Sequence, residues 1–271
     1  MSRRRHNRAF TLIELLVVIS ILGLVAAIAV PAIKNFGRAD ATAAASRQLL
    51  DDIGRARQLA ISQRTKVYMV FLPATFWDDL SYEGNRAAYQ MLQGPDVDMA
   101  AKLFDKQLNS YTFFTLRSVG DQPGSDTPRY LSAWRSLPEG TFIAPWKFKP
   151  PKKSDYRFTI NILTNPVLNM PFAVKNFSTN AFPFPFADST NKLWLPYICF
   201  NYLGQLTSGE HEFIPLARGT IAHVRDIETK IPVQQAPSVS ENPPNSSVDS
   251  FNLLHIDWLT GRARVEHPQI Q

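Results

Sequence analysis

Apolar residues fill positions 15–33 almost without a break, interrupted only by Ser20, Gly23 and Pro31. At about 1.5 Å of rise per residue, a helix over this run reaches close to the thickness of a bilayer's hydrocarbon core. Arg3, Arg4, Arg5 and Arg8 crowd its N-terminal side. The positive-inside rule keeps that end in the cytoplasm and exports everything from about Lys34 onward. Pro31 removes one helix hydrogen bond and predicts a kink in a helix that continues; the alternative is that it ends the membrane segment.

Past Phe36 and Gly37 the pattern changes. Ala41, Ala45, Leu49, Ile53, Ala56 and Ala60 recur every three or four residues, while Arg47, Asp51, Asp52, Arg55 and Arg57 occupy much of the remaining surface. This predicts an amphipathic helix over 37–64 whose stripe packs on the core of a head. Residues 67–72 then read as a first strand, stopped by Pro73. A mixed insert over 74–110 follows, with short helices expected at 86–93 and 98–108. Further strands are expected at 111–118, 156–163, 194–202, 213–216, 220–224, 252–257 and 263–266. Residues 231–247 hold Pro232, Pro237, Pro243 and Pro244 among Ser and Asn, which predicts an exposed, mobile loop. The fold class is therefore α+β: a long N-terminal helix packed on an antiparallel β-sheet head.

Composition narrows the function. The formal charge is +6, from 29 Lys and Arg against 23 Asp and Glu. Setting aside the four arginines ahead of the apolar run leaves 25 basic against 23 acidic residues. So balanced a remainder is no phosphate-binding surface, and no nucleic-acid partner is expected. The single cysteine, Cys199, lies in an apolar stretch and excludes an intrachain disulfide. It reads as a small buried hydrophobe.

An ordinary removable signal has a shorter apolar region, and a plain anchor leaves Glu14 unexplained, since a carboxylate inside an apolar span is costly. The run Arg8-Ala9-Phe10-Thr11-Leu12-Ile13-Glu14-Leu15-Leu16-Val17-Val18-Ile19 strongly resembles the leader junction of type IV pilins and type II secretion pseudopilins. The resemblance implies cleavage between Ala9 and Phe10 by a membrane aspartyl prepilin peptidase, followed by N-methylation of Phe10. Where the family pattern has glycine before the cut, this chain has Ala9. Residues 1–9 become a removed leader, 10–36 a transmembrane and assembly helix, and 37–271 the exported head. Glu14, the fifth residue after cleavage, is implied to meet the N-terminal ammonium of a neighbouring subunit during assembly, and Pro31 matches a proline of the family. The implied partners are the peptidase, other pilin or pseudopilin subunits and the bacterial inner membrane, with the N-terminus cytoplasmic and the head periplasmic.

A second resemblance is to H-type minor pseudopilins. It is carried by Arg55-Ala56-Arg57-Gln58-Leu59-Ala60-Ile61, Leu137-Pro138-Glu139-Gly140, Ile198-Cys199-Phe200 with Gly204, and Thr260-Gly261-Arg262. It implies a minor subunit of a secretion pseudopilus. A minor type IV pilin for adhesion, motility or DNA uptake, and an anchored exported protein that never polymerises, are the alternatives.

No nucleophile turn, phosphate loop or dinucleotide fingerprint is present, so neither an enzyme nor a cofactor is expected. His255 and Asp257 share a face of a predicted strand, which fits a surface pair more readily than a metal site. The run 182–186, alternating Phe and Pro, fits packing or a sticky surface. Asn245-Ser246-Ser247 matches a glycosylation sequon.

Overall fold

A computed structural model describes residues 12–79, 82–117, 120–121, 127–148 and 174–266, with the backbone alone for 26–40. The predicted strand at 156–163 lies outside the described residues. The chain divides into two units, Met1–Asp40 and Ala41–Gln271. Helix α1 (Leu12–Gln63) contributes to both. It ends where Arg64 turns left-handed (φ 50°), letting Thr65 N–H reach the Ala60 carbonyl at 3.2 Å and satisfy one of the free carbonyls of the last turn.

In the second unit, the described strands form two antiparallel sheets. The first runs β3-β2-β1-β7-β6, with β4 also on β2: β1 (Val67–Phe71), β2 (Ser110–Thr115), β3 (Arg129–Tyr130), β4 (Arg135–Ser136), β6 (Ser178–Pro183) and β7 (Lys192–Phe200). The second runs β11-β10-β8-β5, with β9 on β8: β5 (Thr141–Ile143), β8 (Glu212–Ala222), β9 (Ser238–Glu241), β10 (Asn252–Ile256) and β11 (Ala263–Glu266).

Strand alternation explains the layering. Val67, Met69 and Phe71 point one way from β1 and join Ala45, Leu49, Ile53, Ala56 and Ala60 of α1, together with Ile214, Leu216, Leu254 and Ile256 of the second sheet. Tyr68, Val70 and Leu72 point the other way into a second core. That core is roofed by the insert, in which Leu92, between helices α2 (Asn85–Gln90) and α3 (Pro95–Ala101), and Ala100 of α3 are buried. Phe76, Trp77 and Phe104 stack there edge and face. A first strand without a polar face is therefore what a middle strand covered on both sides requires.

Several expectations change. The second insert helix starts at Pro95 rather than 98, because proline at the first helical position lacks only an N–H that would be unpaired anyway. It also ends early: residues 103–106 continue as turns with bonds three residues back, such as Lys106 N–H to the Leu103 carbonyl at 3.0 Å. The strands expected at 213–216 and 220–224 are one strand, β8. Gly219, in its middle, is where β9 and β5 approach: a Cβ there would lie 2.3 Å from the Ser240 carbonyl oxygen and 2.9 Å from Phe142. Nor is 231–247 a featureless loop. It holds β9, paired with β8 through Gly219–Glu241 and Ala222–Ser238, and it leads into a short helix, α4 (Ser246–Asp249). Ser246 and Ser247 are buried, with the Ser247 hydroxyl donating to Glu241 at 2.6 Å. In the Phe-Pro run, Phe182 and Phe184 are core residues and only Phe186 is exposed.

Candidate functional site

The first unit is decided by its surface. From Leu12 to Val25 every described side chain of α1 is exposed, and the apolar ones run from Leu12 at 84% to Val18 at 47%. A helix that is apolar all round has no polar face to give to water and is stable only where lipid or other apolar helices surround it. Ser20 does not break that rule, since its hydroxyl donates to the Leu16 carbonyl at 2.8 Å, inside the helix. Glu14 stands in the first turn, on this apolar surface. The helix passes through Pro31 without interruption. Ala9 and Phe10 lie outside the described residues.

Residues 4–30 match the family model of the prokaryotic N-terminal methylation motif. The chain carries a prepilin-type methylation motif. The match covers the basic N-terminal end and most of the apolar run, and such a motif supports a type IV pilin-like or pseudopilin protein and implies processing by a prepilin peptidase and assembly with other pilin subunits. The chain matches no curated protein and no solved structure. Among the described residues, no helix is long and apolar enough to cross a membrane.

In the second unit, three short segments from far apart in sequence meet at the C-terminal end of α1. Arg57 Nε donates to the Thr260 carbonyl at 2.7 Å. Gly204 (φ 79°) lies against Ile61 and Arg57, where a Cβ would come within 2.8 Å of Ile61 Cδ1. Gly261 (φ 62°) lies against Gly204, where a Cβ would fall 2.0 Å from the Gly204 carbonyl oxygen. Both positions thus need glycine for conformation, and Gly261, facing a backbone carbonyl, needs it for space as well.

Sequence reading placed Asp52 with the charged remainder of α1; in fact it is 3% exposed. It accepts a hydrogen bond from the Tyr111 hydroxyl at 2.5 Å and pairs with Arg135 at 2.9 Å, tying α1 to β2 and β4. Gln48 Nε2 donates to the Tyr111 hydroxyl at 3.0 Å and to the Ser136 carbonyl at 2.9 Å. Burial pushes the Tyr111 phenol well above its ordinary range, and the hydrogen bond to Asp52 adds to this. Helical spacing held the clue: position 52 lies three residues after Leu49 and four before Ala56, on the buried side of the stripe.

His255 is also more than a surface residue. It is buried, its Nδ1 is 2.7 Å from Glu266, its Nε2 is 2.9 Å from His211 Nδ1, and its ring stacks on Phe213. His211 in turn lies 3.7 Å from Asp257. Among the described residues, no group of three or more His, Cys, Asp or Glu side chains is arranged to hold a metal ion. Lys147 is fully buried, bonded to Glu212 and to the Lys175 carbonyl, with its ammonium 4.5 Å from the centre of the Phe177 ring. Burial lowers its pKa, and Glu212 works against that shift.

Proposed function

We propose that the chain is a structural, non-catalytic subunit of a type II secretion pseudopilus, inserted in the inner membrane by residues 10–36 and built into a filament after cleavage before Phe10. The observation that carries this reading is the methylation motif over 4–30, within which the turns of α1 from Leu12 to Val25 expose apolar side chains all round.

The chemistry of assembly follows from charge. An amide nitrogen at Phe10 is uncharged until the Ala9–Phe10 bond is cut; cleavage creates an ammonium and methylation leaves it charged. Two opposite charges 4 Å apart attract by about 4 kcal/mol at an effective dielectric near 20, against about 1 kcal/mol in water. In an apolar bundle of helices, the ammonium of one subunit and Glu14 of the next then set the axial register. Pro31 loosens the helix within the same segment.

Membership of the H-type minor group is supported by the meeting of Arg57, Gly204 and Thr260-Gly261, since these belong to the segments that carry that resemblance. A minor subunit of a type IV pilus is the second reading. It is favoured by the same N-terminal motif, which both filament types share.

The test is the mass of the protein recovered from cells with and without prepilin peptidase. The expected N-terminus is methylated Phe10, found only when the peptidase is present. An intact Ala9–Phe10 bond in peptidase-positive cells sinks the proposal. Recovery in sheared filament fractions separates a polymer from a lone anchor, and secretion of cargo in a deletion strain separates secretion from adhesion.

A further inference from the structure

The second sheet gathers polar side chains on the face turned away from α1. Ile214, Leu254 and Ile256 point toward α1, so the residues alternating with them point outward: Phe213, His255 and, by the same period, His211 ahead of β8 and Asp257 after β10. The register sets Phe213 opposite His255 and Glu212 opposite Ile256, which brings His211 level with Asp257. On the other side of β10, Arg264 of β11 lies opposite His255, with Glu266 on the same face. The two imidazoles meet at 2.9 Å, His255 Nε2 to His211 Nδ1, across 44 residues of sequence.

The surroundings fix one ring and its tautomer. His255 is buried and stacks on Phe213 with ring centres 4.6 Å apart. Its Nδ1 is 2.7 Å from Glu266 Oε1. The carboxylate accepts, so the proton sits on Nδ1 and the lone pair on Nε2. This is how an outer carboxylate orients a metal-binding histidine. The proton between the rings is then that of His211, an exposed ring whose other nitrogen can carry it instead. Charge favours a cation. Asp257 stands 3.7 Å from His211, while Glu266 is shared with Arg264 at 2.8 Å and Glu212 is engaged by Lys147.

We propose that His211 Nδ1 and His255 Nε2 bind one divalent transition-metal ion, of the nickel or copper kind, which clamps the start of β8 to the β10–β11 hairpin. Two nitrogens at right angles, each about 2.05 Å from an ion, stand about 2.9 Å apart, whereas tetrahedral ligands stand about 3.4 Å apart. The observed spacing fits the right-angled case, so the ion replaces a proton without moving either strand. The protein supplies two ligands, and water supplies the rest on the exposed side of His211. The clamped hairpin carries Thr260 and Gly261, so occupancy stiffens the surface on which Arg57 of α1 docks.

The test is calorimetric titration of the untagged full-length protein, in detergent, with the chlorides of nickel, zinc and calcium. One Ni²⁺ per chain is expected, bound more tightly than Zn²⁺, with no binding of Ca²⁺. His211→Ala removes an exposed ring, leaves the core intact and should abolish binding. Glu266→Ala should weaken it about tenfold or more, and His223→Ala should leave it unchanged. Saturating Ni²⁺ should raise the urea midpoint of the parent and not that of His211→Ala. The proposal is overturned if Ni²⁺ does not bind, if binding survives His211→Ala, or if Glu266→Ala keeps the parent's affinity. Equal loss in His223→Ala, or Ca²⁺ bound as tightly as Ni²⁺, shows adventitious surface binding and overturns it too.

Discussion

Arg57, near the end of α1, donates from Nε to the backbone carbonyl of Thr260 at 2.7 Å, across a separation of 203 residues. The bond fastens the helix to the last β-hairpin, beside the contact of Gly261 with Gly204. Replacing Gly261 by alanine puts a side chain at positive φ and into a carbonyl oxygen, so Gly261→Ala should destabilise the head by at least about 2 kcal/mol. Arg57→Ala, which only removes a charged hydrogen bond, should cost about 1.5–3 kcal/mol. Urea unfolding in detergent checks both, and a Gly261→Ala protein as stable as its parent would contradict the close approach.

Asp52 makes a second prediction. Asp52→Ala strips the buried partner from Tyr111 and from Arg135, whose guanidinium can still reach water, and should cost about 2–3 kcal/mol. Tyr111→Phe leaves the Arg135 pair in place and should cost about 1–2 kcal/mol. Equal midpoints for the two variants would show that the Asp52–Arg135 pair contributes nothing.

Processing and assembly should separate at Glu14. Glu14→Leu removes the carboxylate but keeps the cleavage site, so the methylated Phe10 terminus should persist while recovery in sheared filaments falls about tenfold or more. Undiminished recovery would rule out the charge pair.

Cys199 gives a chemical probe of the head. Burial raises its thiol pKa to about 11, partly offset by hydrogen bonds with Thr207 and Tyr68 and by the charge of Lys66. The thiolate fraction at pH 8 is then about a hundredfold below that of an exposed cysteine. Iodoacetamide should label the folded protein at least that much more slowly than the urea-unfolded chain; comparable rates would refute the burial.

Acid stability should respond to Glu266. Burial alone would raise its pKa, but hydrogen bonds from Arg264 and His255 outweigh this and hold it below the ordinary value. Hydrogen bonds from Thr260 do the same for Asp257. A carboxylate depressed by folding binds fewer protons folded than unfolded, so its contribution is full above about pH 5 and is lost as pH falls through the folded value. Urea midpoints should drop between pH 6 and pH 3, and Glu266→Gln should flatten that slope; an unchanged slope would count against the pairing.

What could be read from the chain alone was whatever repeats at short range. The apolar run up to Val25, the stripe from Ala45 to Ala60 with its period near 3.6, and the short apolar or alternating runs of β1, β10 and β11 each follow from a few consecutive residues. The methylation motif is likewise a local string of residues, 4–30. Tertiary structure alone decided that Asp52 turns inward, that β8 runs on through Gly219, that residues 238–241 become a strand, and that Arg57, Gly204 and Gly261 meet. Each of these depends on a partner distant in sequence: Tyr111 and Arg135 for the acid, Ser240 for the glycine, Thr260 for the arginine. Local patterns state what a residue prefers, while burial and pairing are set by what the rest of the fold brings beside it.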